Sequence, residues 1–159
     1  MLFSLVRQFF SDSLRSLFFK IFIIGFLIDQ VSKFVARNLL FLKSYDFGFL
    51  RFDLVFNTGA AYGVFSDYTY ILLVIGIVVI GYVFSRLDTF LETKIDSVIY
   101  GCLIAGAMGN TLDRLLFGKV TDFINIQIIP VFNIADTLIN IGIGLLLFQW
   151  FYYGNKKQS

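Results

Sequence analysis

Apolar positions fall into four long stretches, at 17–37, 68–84, 97–117 and 132–153, separated by polar or turn-rich segments. A helix that crosses a bilayer needs ~20 mostly apolar residues, so each stretch predicts a transmembrane helix. An even number of spans leaves both termini on one side. Ahead of the first stretch, Leu2, Phe3, Val6, Phe9, Phe10, Leu14 and Leu17 recur at helical spacing, with Arg7, Ser11 and Arg15 between them. This predicts an amphipathic helix over 1–16 lying on the bilayer. It has no clear short apolar core or small-residue cleavage site, so we expect it to stay in the mature protein.

Two connecting segments follow period two instead. In 50–57, Leu50, Phe52, Leu54 and Phe56 alternate with Arg51, Asp53, Val55 and Asn57; in 124–128, Ile124, Ile126 and Ile128 alternate with Asn125 and Gln127. Both predict strands. Pro130, the only proline, ends the second before the fourth helix. The expected fold is an integral membrane protein, mostly α: four transmembrane helices with a small extracytoplasmic β-sheet and an N-terminal amphipathic helix, in one domain over 1–159.

Composition supports the membrane reading. Hydrophobic residues make up 58% of the 159, with 21 Phe, and charged residues only 15%, against about a quarter in soluble domains. Such a chain lacks the polar surface to face water. Lys and Arg set its orientation. Arg7, Arg15, Lys20, Arg86, Lys94, Lys156 and Lys157 flank the termini side, against Arg37, Lys43, Arg51 and Lys119 opposite. The balance puts both termini in the cytoplasm, with Trp150, Tyr152 and Tyr153 as an inner interfacial belt. A net charge of +2 gives no basic surface for nucleic acid.

The chemistry is narrowed by what is missing. With no histidine, the chain has no Ser-His-Asp or Cys-His catalyst and no His-ligated metal. Its single cysteine, Cys102, forms no intramolecular disulfide and reads as helix packing. Ten Asp stand against one Glu, Glu92, so acid–base chemistry here falls to aspartate.

Ionisable groups in a span cost several kcal/mol unless paired or hydrated. Asp29 and Lys33 are four apart on one helix face in the favourable order, and read as a buried ion pair between helices. Ser32 and Lys33 do not form a protease dyad, because adjacent helical residues point apart. In the third stretch Asn110 and Arg114 share a face, with Arg114 either paired to Asp113 or another acid, or placed in a site. Gly101, Ala105 and Gly109 form a small-residue stripe for close helix packing. The fourth opens with Asn133, Asp136 and Asn140 on one face. Asp122 lies fourteen residues before Asp136, and the intervening loop returns to the same membrane face, which allows the two to converge there. Two nearby carboxyls share a proton. One takes a proton from water while the other donates to a carbonyl oxygen, with no metal or cofactor required.

These residues resemble the bacterial lipoprotein signal peptidases, the type II signal peptidases, an aspartyl peptidase family. The motifs are Asp29-Gln30-Val31-Ser32-Lys33, then Asn57-Thr58-Gly59-Ala60-Ala61-Tyr62-Gly63, then Gly106-Ala107-Met108-Gly109-Asn110-Thr111-Leu112-Asp113-Arg114 running to Val120-Thr121-Asp122-Phe123-Ile124, and Phe132-Asn133-Ile134-Ala135-Asp136. They occur in the family's order across 28–142. The resemblance implies an endopeptidase of the bacterial inner membrane with its active site at the outer face. It implies removal of signal peptides from prolipoproteins, just before a diacylglyceryl-modified cysteine. Asp122 and Asp136 match the catalytic pair, and Asp29, Lys33, Asn57, Asn110, Arg114 and Asn133 match other polar site positions. Membrane lipids are implied partners and cyclic depsipeptides implied inhibitors. The first outer segment would form a cradle, with Gly59 and Gly63 supplying flexible backbone and a small helix nearby as a lid. Thr121 stands where the family often has an aliphatic residue. A small transporter or proton pathway is the alternative reading, and a purely structural membrane protein a third.

Overall fold

The computed structural model describes residues 2–59 and 68–156. Chain order is α1 (Leu2–Leu39), β1 (Tyr45–Asp46), β2 (Arg51–Asn57), α2 (Thr69–Ser85), α3 (Leu87–Phe90), α4 (Lys94–Phe117), β3 (Val120–Asn125) and α5 (Ile134–Lys156). The four apolar stretches thus appear as α1, α2, α4 and α5. Helices α4 and α5, over Lys94–Phe117 and Ile134–Tyr152, are long and apolar enough to cross a membrane; α2 is apolar but shorter, at 17 residues.

The helix expected to lie on the bilayer over 1–16 is not a separate element. Helix α1 runs unbroken for 38 residues, roughly 57 Å at the usual rise, because no Pro or Gly interrupts 2–24. Side chains of 1–7, 9 and 10, and those of 153–156, lie outside the described set.

Helix α4 is the centre of the bundle, packed on α1, α5 and α2. Its start is a capping box: Asp96 N–H donates to Thr93 Oγ1 and Thr93 N–H to the Asp96 carboxyl. Its end is Gly118, left-handed at φ +67°. The small-residue stripe does what its spacing predicts. A Cβ on Gly101 would sit 2.9 Å from Ile21 of α1, and one on Gly109 would strike the Asp29 carboxyl.

Polarity is inverted relative to a water-soluble domain. Asp29, Lys33, Asp113 and Asn133 are fully buried, while Ile24, Val31 and Phe34 of α1, Val78 of α2 and Phe148 of α5 are mostly exposed. Water would penalise each such apolar side chain by about 1.5–3 kcal/mol, whereas acyl chains do not.

The sheet is antiparallel, in the order β1-β2-β3. Strand β2 covers the predicted segment, and its Phe52 and Leu54 pack with Ala36, Leu40 and Phe123. The strand expected over 124–128 forms earlier, as Val120–Asn125. Gln127 turns the chain at φ +65°, its N–H taken by the Asn125 side chain, so the isoleucine alternation leaves Ile128 exposed. Residues 120–123 are all buried, and a strand buried on both faces shows no alternation to read.

Candidate active site

Three asparagines build the site, and each amide is oriented by what its oxygen must accept. Asn57 Oδ1 takes the N–H of Gly59 at 2.9 Å, which leaves Nδ2 to donate to Asp122 Oδ2 at 2.9 Å. Asn133 precedes α5 and caps it. Its Oδ1 takes the N–H of Asp136 at 2.9 Å, while its own N–H donates to Asp136 Oδ2 at 3.1 Å. This is a capping box with aspartate in the third helical position. The Nδ2 of Asn133 is then free to donate to Asp122 Oδ1 at 2.6 Å and to Asn110 Oδ1 at 3.1 Å. Asn110 Oδ1 also takes the Lys33 ammonium at 2.9 Å, which turns its Nδ2 onto Asp136 Oδ1 at 2.8 Å. An ammonium only donates, as does an amide NH2, so Lys33 and Asn133 together decide which way Asn110 points.

Asp122, from β3, and Asp136, from the first turn of α5, are therefore joined through one residue. Each carboxyl accepts two hydrogen bonds, and Asn133 bonds to both. Burial is the main force on Asp122 and pushes its pKa up. The charge of Asp136 adds to this, while Asn57, Asn133 and the Lys33 charge oppose it, for a value of about 6.

Asp29 and Lys33 lie beneath this layer as the expected ion pair, at 2.9 Å and with no exposed side-chain surface. Asp29 Oδ1 also accepts the N–H of Ala135 at 2.8 Å, tying α1 to the start of α5. Arg114 does not pair with Asp113, since adjacent helical residues diverge. It donates through Nη2 to the Gly59 carbonyl at 3.2 Å, and its buried Nε has no hydrogen-bond partner among the described residues. Asp113 is held instead by Arg37 at 3.3 Å and Lys33 at 3.8 Å. Spacing alone did not reveal that contact, because it joins α1 to α4 across the bundle.

The two carboxyls open on a cavity of about 860 Å³. Asn57, Gly59, Asn110 and Arg114 line its polar end; Leu72, Ile75 and Val79 of α2, Ala107 of α4 and Ile139 of α5 form an apolar wall. Every predicted site residue among those described except Asp29 is thus either on this cavity or bonded to a residue that is, and Asp29 reaches it through Lys33. Asn140, read as sharing a face with Asn133 and Asp136, also lines it. Gly63, and the segment beside the cradle where a lid is expected, lie outside the described residues.

Comparison with known proteins gives a consistent answer. A family model described as signal peptidase (SPase) II matches residues 21–152. A lipoprotein signal peptidase of Synechocystis is 36% identical over 150 residues, covering 90% of this chain and 92% of that one. The lipoprotein signal peptidase of Aquifex aeolicus is 36% identical over 145 residues, 86% of each chain. A solved bacterial membrane enzyme superposes with a TM-score of 0.79 at 28% identity, covering 88% of this chain and 90% of that one. This chain belongs to the signal peptidase II family and is an aspartic peptidase that processes prolipoproteins.

Proposed function

We propose that Asp122 and Asp136 are the acid–base pair of this peptidase, cutting prolipoproteins just before a diacylglyceryl-modified cysteine. The observation that carries the assignment is the pair of carboxyls held by Asn133 at the polar end of the cavity. Buried charge balances when the pair keeps one proton. Asp29 and Asp113 offset Lys33 and Arg37, and Arg114 offsets the single charge left on the pair. The ionised carboxylate takes a proton from water, which attacks the scissile carbonyl; the protonated partner donates to the carbonyl oxygen. A proton then passes to the departing amine. Arg114 and the asparagines orient substrate and carboxylates, and the apolar wall receives lipid-like parts of the substrate. A cyclic depsipeptide would inhibit by occupying the pair.

Helices α1, α2, α4 and α5 are the four crossings in this reading, with both termini cytoplasmic and the sheet on the outer face. Trp150 and Tyr152, both exposed on α5, fit the inner interface. A transport role is not favoured: α2 carries no charge, and the polar residues gather near one end of the bundle.

A gel-shift assay in detergent or lipid tests the substrate. Purified protein is mixed with a prolipoprotein, with and without prior diacylglyceryl modification of its cysteine. Cleavage of the modified form alone is expected; equal cleavage of both forms would remove the lipid from the recognition element.

The pH profile follows from Asp122. The active pair holds one proton, and with Asp122 titrating at about 6 activity declines as pH rises through that value. The hydrogen bond from Asn57 favours the ionised form, so Asn57→Leu moves the alkaline limb to higher pH. A limb that stays put or moves down in a kcat series would contradict this. Stability has the same sign. Asp122 is raised above its ordinary range, so its contribution is full below about 4 and is lost as pH rises through about 6.

A further inference from the structure

We propose that Asn140 is a substrate-binding residue whose side-chain amide pairs with the backbone of the signal peptide, about two residues before the cleaved bond. The proposal rests on the reading of Asp122 and Asp136 as the acid–base pair and of α5 as a membrane crossing.

Asn57, Asn110 and Asn140 all line the cavity. The amides of Asn57 and Asn110 are committed: each donates to one of the two carboxyls and accepts through its oxygen. Asn140 is exposed on the cavity, and its amide makes no hydrogen bond among the described residues. Thr137, which lies between it and Asp136 on the same cavity, already donates its hydroxyl to the Asn133 carbonyl. The α2 wall, Leu72, Ile75 and Val79, offers no polar side chain to meet the amide. An unpaired amide in a membrane span is costly, so the partner of Asn140 comes with the substrate.

The chemistry of that partner follows from the reaction. To be cut, a peptide must leave any helix around the scissile bond and present an extended backbone. Inside the bilayer its freed N–H and C=O groups have no water to bond. An asparagine amide carries a donor and an acceptor side by side and matches one such peptide unit. Asn140 stands one turn beyond Asp136 on the same face of α5, roughly 6 Å further along the axis. An extended chain rises ~3.3 Å per residue, so that step corresponds to about two residues. With the scissile carbonyl at the two carboxyls, the stretch running along α5 into the membrane is the signal peptide. Asn140 bonds to neither carboxyl, so it contributes to binding and not to proton transfer.

Asn140→Leu should raise KM for a lipid-modified prolipoprotein roughly 3- to 10-fold, the scale of one lost hydrogen bond, with kcat within about twofold. Its unfolding midpoint should hold or rise, because an unpaired amide leaves the span. Synthetic lipid-modified peptides locate the contact. Each carries an ester in place of one of the few peptide bonds before the scissile one, which removes that N–H. Wild-type KM should rise at one position, and Asn140→Leu should show little further rise there, because both changes remove one shared contact. A wild-type KM in Asn140→Leu, a lowered unfolding midpoint, or ester effects equal in both proteins at every position would overturn the proposal. So would a loss that disappears with ether-linked lipid chains, which would assign the amide to the lipid esters. Asp122→Asn runs alongside in the same assay. If it cleaves at the wild-type rate, the acid–base reading falls, and the register drawn from it falls too. If it is inactive while Asn140→Leu keeps its KM, the Asn140 subsite alone falls.

Discussion

Asp122→Asn and Asp136→Asn each lower the cleavage rate by roughly a thousandfold or more, while the protein still inserts and folds. The substitution is close to isosteric and removes the ability to take and return a proton. Its structural cost is bounded by the hydrogen bonds that each carboxyl accepts. Asp122 accepts from Asn57 and Asn133, and Asp136 from Asn110 and the Asn133 N–H. An amide accepts at its oxygen alone, so each variant leaves one donor facing a second NH2 group. That is worth about 1–3 kcal/mol, enough to lower an unfolding midpoint without unfolding the protein. Asp136→Asn also removes a negative charge from the first turn of α5, where the helix dipole favours one, and is expected to be the less stable of the two. Gel-shift rates and unfolding midpoints on the same preparations check both statements. Wild-type rates in either variant would end the assignment of the pair.

Lys33→Met lowers stability by about 3–5 kcal/mol, the cost of leaving a buried charge without its partner. The partner is Asp29, whose carboxyl sits 2.9 Å from the ammonium, with Asp113 at 3.8 Å and neither exposed. For a chain of this size that corresponds to roughly 10 °C in unfolding midpoint. Adding Asp29→Asn removes the orphaned charge and should recover much of the loss. Activity should recover less. Without the ammonium, the Asn110 oxygen keeps only the longer hydrogen bond from Asn133 Nδ2, and its NH2 is held less firmly on Asp136. A single variant as stable as wild type, measured by thermal unfolding in detergent, would show that the pair contributes nothing net. A double variant that regains full rate would show that Lys33 does not act through Asn110.

How far the chain could be read without its structure differs by element. The four helices were legible because apolar runs of this length have few other uses, and apart from the start of α1 their observed ends lie within a few residues of those expected. The join between 1–16 and 17–37 was not. An amphipathic pattern giving way to an apolar one changes the environment of a helix, not its backbone, and α1 continues through it. Strand β2 was legible because its pattern is regular. Strand β3 was displaced, because its buried residues do not alternate, whereas the exposed isoleucines beyond it do.

Within the candidate site, Asp29 and Lys33 are a local fact: four residues apart on one helix, they meet in any fold that keeps the helix. Asn133 and Asp136 are local too, as a cap and the third residue of the helix it starts. The sequence by itself thus determined the membrane-like composition, the helices, the absence of histidine and cysteine catalysts, and the candidacy of Asp122 and Asp136. Only the tertiary structure decided which way each asparagine amide faces, that Asp113 serves Arg37 and Thr121 instead of Arg114, and that Asp29 holds the N–H of Ala135. Those choices join residues on different elements, or depend on which of two amide atoms meets a donor-only group. Neither kind of fact leaves a period or a spacing in the chain, because it is set by how helices cross and not by how one helix turns.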